Sequence, residues 1–259
     1  MPEQPPLRVA TFNIHHGRGP DDRLDLRRVA NVIRAGRAGI AGLQEVDRHC
    51  SRRSEFVDQA AWLAAELGMD VVFGANLDLG PPAPGGRRRQ YGTAILSRFP
   101  IRDSGNTFLP RFPGSEQRGL LRATIVVHGV PVQVCNTHLQ DDDAAERLEQ
   151  ARAVRALITE RPGPVILTGD FNAVPGAPEI RVLIRSLRDA WAQPGAGPGH
   201  TFPATGSRID YVFTSPDVEV RSATVVPCDA SDHLPVFVDM LLPERVAPRV
   251  DVASHFRHE

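Results

Sequence analysis

Along this chain, runs of apolar residues stop repeatedly on a carboxylate, an amide or a histidine. The first closes as Ala10-Thr11-Phe12-Asn13 and the second as Gly42-Leu43-Gln44-Glu45. Cys135-Asn136-Thr137-His138, the run from Val165 through Asp170 to Asn172, Arg208-Ile209-Asp210-Tyr211 and Ser231-Asp232-His233 follow. Burying one such group without a partner is costly. Six clusters at the rim of one core make sense if they converge on a cation and on one another. The fold must therefore bring the ends of distant strands to one place.

Strand-like runs, short and β-branched or aromatic between Gly, Pro, Asp or Asn, occupy residues 7–14, 40–45, 71–73, 93–96, 121–127, 132–137, 165–168, 209–214, 218–226 and 236–242. Helical periodicity predicts helices over 24–35, 56–67, 143–159 and 178–187, the second with Phe56, Ala60, Leu63 and Leu67 on one face. Strands and helices are thus mixed from end to end as in an α/β protein, and no composition break divides them. The proline- and glycine-rich stretches 78–90 and 193–199 read as surface loops. The expectation is a single catalytic domain over residues 7–242, with tails at 1–6 and 243–259. A faint echo between the Thr-Phe-Asn and Leu-Gln-Glu segments of the first half and the Asn-Thr-His and Gly-Asp-Phe-Asn segments of the second hints at two similar sheets facing each other.

Composition narrows the partners. The net charge is -1, so no global positive field holds nucleic acid, although a local basic cleft remains open. Every cationic chain is an arginine, for the sequence contains no lysine. Cys50, Cys135 and Cys228 are far apart and read as small apolar fillers. The opening residues lack a basic segment followed by an apolar run, and no stretch approaches the ~18 apolar residues of a membrane span. A cytoplasmic monomer with no stable membrane insertion is the expectation.

The polar clusters carry a recognisable chemistry. Glu45, Asp232 and Asn13 offer the oxygen ligands that Mg²⁺ or Mn²⁺ prefers. His138 and His233 can move protons near neutral pH. Asp170 and Asp210 can orient those rings or a water, and Asn172 can hold the water or a phosphate oxygen. Together they are equipped for metal-assisted hydrolysis of a phosphate ester.

The ordered set Thr-Phe-Asn13, Leu-Gln-Glu45, Tyr91-Gly-Thr-Ala-Ile-Leu-Ser, Asn-Thr-His138, Gly-Asp170-Phe-Asn172, Arg-Ile-Asp210-Tyr and Ser-Asp232-His233 resembles the endonuclease/exonuclease/phosphatase superfamily. Pancreatic-type deoxyribonuclease, bacterial sphingomyelinases and inositol polyphosphate 5-phosphatases belong to it. The resemblance implies a four-layer α/β sandwich, two packed mixed β-sheets flanked by helices, with the site at one end. It implies Glu45 as main metal ligand with Asn13 and Asp232 nearby, and His233, held by Asp210, as the residue that polarises the phosphate or activates water. Asp170 and Asn172 correspond to the water-positioning pair. His138 falls where the deoxyribonuclease and sphingomyelinase branches carry a second catalytic histidine.

Other residues keep two readings. Arg118 is either a bidentate phosphate donor or a surface arginine. Tyr91 either touches phosphate or packs in the core. Arg87, Arg88 and Arg89 form either a solvated loop or a clamp for an anionic substrate. His15 and His16 receive no role. The expected activity is a phosphodiesterase on a small-molecule or lipid-head-group phosphate ester. A Mg²⁺-dependent endonuclease is the alternative, and a catalytically silent binding module on the same fold a remote one. Metal-independent acyl hydrolysis is disfavoured because no Gly-x-Ser-x-Gly elbow occurs.

Overall fold

A computed structural model describes residues 5–160, 162–192 and 194–244. One sheet holds β1 (Leu7–Asn13), β2 (Ile40–Arg48), β3 (Asp70–Leu79), β4 (Arg89–Ser97), β11 (Glu219–Val225) and β12 (Val236–Leu241), in the order β11-β12-β1-β2-β4-β3. The other holds β5 (Ile101–Phe108), β6 (Gly119–Val127), β7 (Val130–His138), β8 (Val165–Asp170), β9 (Arg188–Asp189) and β10 (Asp210–Thr214), in the order β5-β6-β7-β8-β10-β9. Both are mixed: β1 pairs parallel with β2 and antiparallel with β12, and β7 pairs parallel with β8.

Alternation of side chains across each strand builds the layers. Val9, Ile40, Ile95, Val134, Ile166, Val212 and Val238 share the core between the sheets. The residues between them in sequence face outward. Ala10, Phe12, Leu43 and Leu96 pack with Val29 and Ile33 of α1 (Leu26–Ala35) and with Leu63 of α2 (Gln59–Leu67). Cys135, Leu167, Tyr211 and Phe213 pack with Val154 of α3 (Ala144–Ile158) and with Leu183 of α4 (Pro178–Leu183). The four-layer α/β sandwich follows.

The layer between the sheets grades from apolar to polar along the strands. Two residues beyond Val9 comes Thr11, then Asn13; Ile40 leads to Gly42 and Gln44, Val134 to Asn136 and His138, and Ile166 to Thr168 and Asp170. The middle of this gradient is a buried network across the sheets. Gln44 Nε2 donates to Asn136 Oδ1 at 2.7 Å and to Thr11 Oγ1 at 3.1 Å, while Asn136 Nδ2 donates to the Leu43 and Ala94 carbonyls. Gly42 leaves room for it: a Cβ there would stand 2.0 Å from Thr168 Oγ1.

Some local expectations need correction. Phe56 does not belong to α2. It lies in a left-handed turn and is 44% exposed, and the helix starts at Gln59 because Asp58 caps it by accepting from Ala61 N–H. The expected loop 78–90 is trimmed at its ends to 80–88, since β3 runs to Leu79 and β4 begins at Arg89. β5 and β9 were not expected. Helix 178–187 ends at Leu183. Of the expected tails, residues 1–4 and 245–259 lie outside the described residues, as does Gln193 of the loop 193–199.

Candidate active site

Strand register delivers the polar ends to one rim. Asp170 closes β8, with His138 of β7 and Asp210 of β10 as its paired neighbours. In the other sheet Asn13 pairs with Gln44. Strict alternation would turn Glu45 outward beside Leu43. Instead the register with β4 shifts between Leu43 and Val46, and Glu45 takes a left-handed φ of 56°. A bulge of this kind re-aims one side chain, and Asn13 Nδ2 donates to Glu45 Oε1 at 3.0 Å. The loop bearing Asp232 and His233 is clipped to β1, for Ser231 Oγ donates to the Asn13 carbonyl at 2.7 Å.

Asp170 is the hub. Its Oδ2 accepts from Asn13 Nδ2 at 3.0 Å and lies 3.6 Å from His138 Nε2 and 3.7 Å from His233 Nε2. Its Oδ1 accepts from the Asn172 backbone N–H at 3.0 Å, held by a left-handed φ of 49° that asparagine tolerates. Burial, then the neighbouring Asp210, pushes the Asp170 carboxyl up to about 7.

The two histidines differ in support. Burial opposes charge on His233, yet Asp210 and Asp170 raise it to about 10. The charged ring donates from Nδ1 to Asp210 Oδ2 at 2.9 Å and leans on Phe202, with ring centroids 4.8 Å apart. His138 is driven the other way: burial and the Arg118 guanidinium lower it to about 3. Arg118 Nη1 donates to its Nδ1 at 3.2 Å, so the ring proton of neutral His138 sits on Nε2, facing Asp170 and 3.2 Å from Asn172 Nδ2.

Arg118 is not a surface arginine. It is buried, and its guanidinium also reaches Gln140 Oε1, Asp141 at 3.3 Å and Glu116 at 2.9 Å. Tyr91 is buried too, with the Arg53 guanidinium 5.3 Å above its ring, and burial pushes its phenol well above the usual value. Arg53 is in turn paired with Asp47.

Glu45 and Asp232 were expected to share a cation. His15 and His16 stand with them: His16 Nδ1 lies 4.0 Å from Glu45 Oε2 and His15 Nδ1 lies 3.6 Å from Asp232 Oδ1. Ligand atoms of His15, His16 and Glu45 lie within 4.8 Å of one another and could hold a metal ion. Burial alone would raise the Glu45 carboxyl, but His16 beside it, together with Asn13, brings it well below the usual carboxylate range. A carboxylate kept charged, facing buried Nδ1 atoms that have no hydrogen-bond partner, is a donor set that fits a divalent cation. Sequence reasoning left these two histidines aside. Their signal lay in adjacency to Asn13, but nothing in residue type announces that both turn left-handed.

The sequence profile described as the Endonuclease/Exonuclease/phosphatase family matches residues 10–233. Protein cwh43 of Schizosaccharomyces pombe is 27% identical over 185 residues, which are 71% of this chain and 18% of that protein, so the chain spans under a fifth of that relative. The crystal structure of an endonuclease/exonuclease/phosphatase from Beutenbergia cavernae superposes with a TM-score of 0.79 at 31% identity, covering 93% of this chain and 72% of that one. A mannosyl-6-phosphatase from Bacteroides thetaiotaomicron shares the fold, with a TM-score of 0.70 at 22% identity over 91% of this chain and 100% of that one.

Proposed function

The chain belongs to the Endonuclease/Exonuclease/phosphatase family, and from that premise we propose that it is a divalent-metal-dependent phosphodiesterase hydrolysing a small-molecule or lipid-head-group phosphate ester by attack of water. The supporting observation is the convergence of Asn13 Nδ2, His138 Nε2 and His233 Nε2 on Asp170 Oδ2. Three donors around one buried oxygen, on strand ends from both sheets, form a polarised pocket with a graded supply of protons.

In this reading Asp170, titrating near about 7, accepts a proton from the attacking water at neutral pH. Asn172 and Asn13 hold Asp170 and the water in line. His233, charged and tied to Asp210, faces the negative phosphate. Charged His233 can give its Nε2 proton to the leaving oxygen, to which neutral His138 donates a hydrogen bond from Nε2, the tautomer that Arg118 fixes. A divalent ion, Mg²⁺ or Mn²⁺, bound by Glu45 with Asn13 and Asp232 would neutralise charge on the phosphate oxygens. Tyr91, beside Arg53, lines the phosphate side.

The arginines favour a small substrate over nucleic acid. Arg53 is paired with Asp47, Arg88 with Asp78, and Arg118 with Glu116 and Asp141. Arg89 donates to the Gly80 carbonyl and Arg87 lies against His49. Charges already matched by carboxylates release few counterions on binding a phosphate backbone. Among the described residues no helix is long and apolar enough to cross a membrane.

The test is hydrolysis of a chromogenic phosphodiester with and without chelator, beside nicking of supercoiled plasmid. Loss of turnover in chelator and recovery in Mg²⁺ or Mn²⁺, with intact plasmid, is expected. Full turnover in chelator would sink the mechanism, and nicking lost in His138→Ala would make the protein an endonuclease. Glu45→Ala should weaken the metal dependence more than folding.

A further inference from the structure

His15 and His16 are the unexplained residues at the site. They form a short turn directly after β1, with φ of 44° and 45°, a conformation that non-glycine residues adopt rarely and only where surroundings enforce it. The enforcement is visible. Gln59 Nε2 donates to the His16 carbonyl at 2.6 Å, while its Oε1 accepts from Asp47 N–H at 2.9 Å, so one buried side chain straps the turn to β2. The Asn13 side chain accepts from His15 N–H at 3.1 Å. The rings pack edge to face, with centroids 4.5 Å apart. This strained turn carries both Nδ1 atoms into the interior, where neither has a hydrogen-bond partner.

Their distances to carboxylates decide between two explanations. Hydrogen-bonded ion pairs would close to roughly 2.7–2.9 Å. The observed separations are 4.0 Å from His16 Nδ1 to Glu45 Oε2 and 3.6 Å from His15 Nδ1 to Asp232 Oδ1. Ligand atoms bound at about 2.1 Å to a common first-row ion stand about 3–4 Å apart. The spacing is therefore that of donors around an ion rather than across a proton.

We propose that His16, with His15 beside it, supplies imidazole nitrogen to the cation held by Glu45, making the centre a mixed nitrogen and oxygen site. The inference rests on the metal-dependent reading above and sharpens it. Mg²⁺ favours oxygen ligands, whereas Mn²⁺, which also prefers oxygen, binds a given mixed site more tightly along the first-row order, and Zn²⁺ suits imidazole best. The two histidines then complete an arc of donors from Glu45 through His16 and His15 to Asp232.

The experiment is pulsed electron paramagnetic resonance of Mn²⁺ added to the full chain, read for ¹⁴N coupling from a directly bound imidazole, with calorimetric affinities for Mn²⁺, Zn²⁺ and Mg²⁺. The wild type is expected to show the coupling and to bind Mn²⁺ more tightly than Mg²⁺. The coupling should persist in His138→Ala and His233→Ala, weaken in His16→Gln, and vanish in the His15→Gln, His16→Gln double variant. His16→Gln should also lose affinity for Mn²⁺ by at least about tenfold, since even groups that only support a ligand contribute that much. Mn²⁺ bound without nitrogen coupling in the wild type overturns the inference and leaves the metal-dependent reading intact. Coupling lost with His138 or His233 instead assigns the nitrogen to those rings and also overturns it. No Mn²⁺ binding at all overturns both. The wild-type spectrum needs no variant to fold, so the inference stays exposed to refutation whatever the substitutions do.

Discussion

His138 and His233 approach the same oxygen of Asp170 almost equally, at 3.6 Å and 3.7 Å, yet their surroundings drive them in opposite directions. Behind His233 stands a carboxylate, Asp210, and the ring is raised to about 10. Around His138, burial and then the Arg118 guanidinium behind it lower the ring to about 3. Two imidazoles of one pocket thereby stay in different protonation states across the neutral range. Pairs of titrating groups pushed apart by environment are how one site holds acid and base roles together.

The most severe way to break this comparison is to remove each ring. His233→Ala should lower kcat by roughly 10⁴-fold and His138→Ala by roughly 10²–10³-fold, both within the range of proton-transfer groups. Equal losses in the two variants, measured on a chromogenic diester at saturating metal, would erase the asymmetry. Asp210→Asn should come next, at about 10²-fold or more in kcat with KM little changed, because the amide no longer supports a charged ring. Arg118→Met should cost about tenfold in kcat. It should also move the His138 ring up from about 3 toward its ordinary value near 6.5, which ¹⁵N NMR of the imidazole would report. An unmoved ring would remove Arg118 from this role.

The smallest effect concerns stability and has opposite signs for the two rings. Folded His233 holds its proton to about 10, against about 6.5 in the unfolded chain, so its contribution is complete below about 6.5 and is lost as pH rises toward 10. Folded His138 resists protonation down to about 3, so its contribution is present above about 6.5 and is lost as pH falls. Melting curves should show wild type losing ground to His138→Gln in acid and to His233→Gln in alkali. The same direction for both variants would contradict the assigned environments.

The strands and their polar ends were legible because short β-branched runs and abrupt polar stops are written in single positions, while the four layers were legible through the family resemblance. Four features were not. β5 (IRDSGNTF) has no buried residue in its span and carries Phe108 61% exposed, so no alternation marks it. Phe56 fits the helical spacing of α2, but a cap at Asp58 outweighs periodicity. Arg118 announced a phosphate donor by type, whereas its buried pairing with Glu116 and Asp141 depends on a loop brought back in space. Glu45, His15 and His16 share left-handed backbones that only tertiary strapping can enforce.

The pairing of β1 with β12 sets Leu7 against Met240. Contacts so distant along the chain form only after the entropy of closing the intervening loop has been spent. During synthesis the first strand therefore waits, edge unpaired, while nearly all of the second sheet is made. Asp232 and His233 emerge just ahead of β12, among the last residues translated before the sheet can close. On the proposed reading, a nascent chain of this protein should be inert toward phosphate esters until that closure, and premature termination before it should leave a product without activity rather than a weakened one.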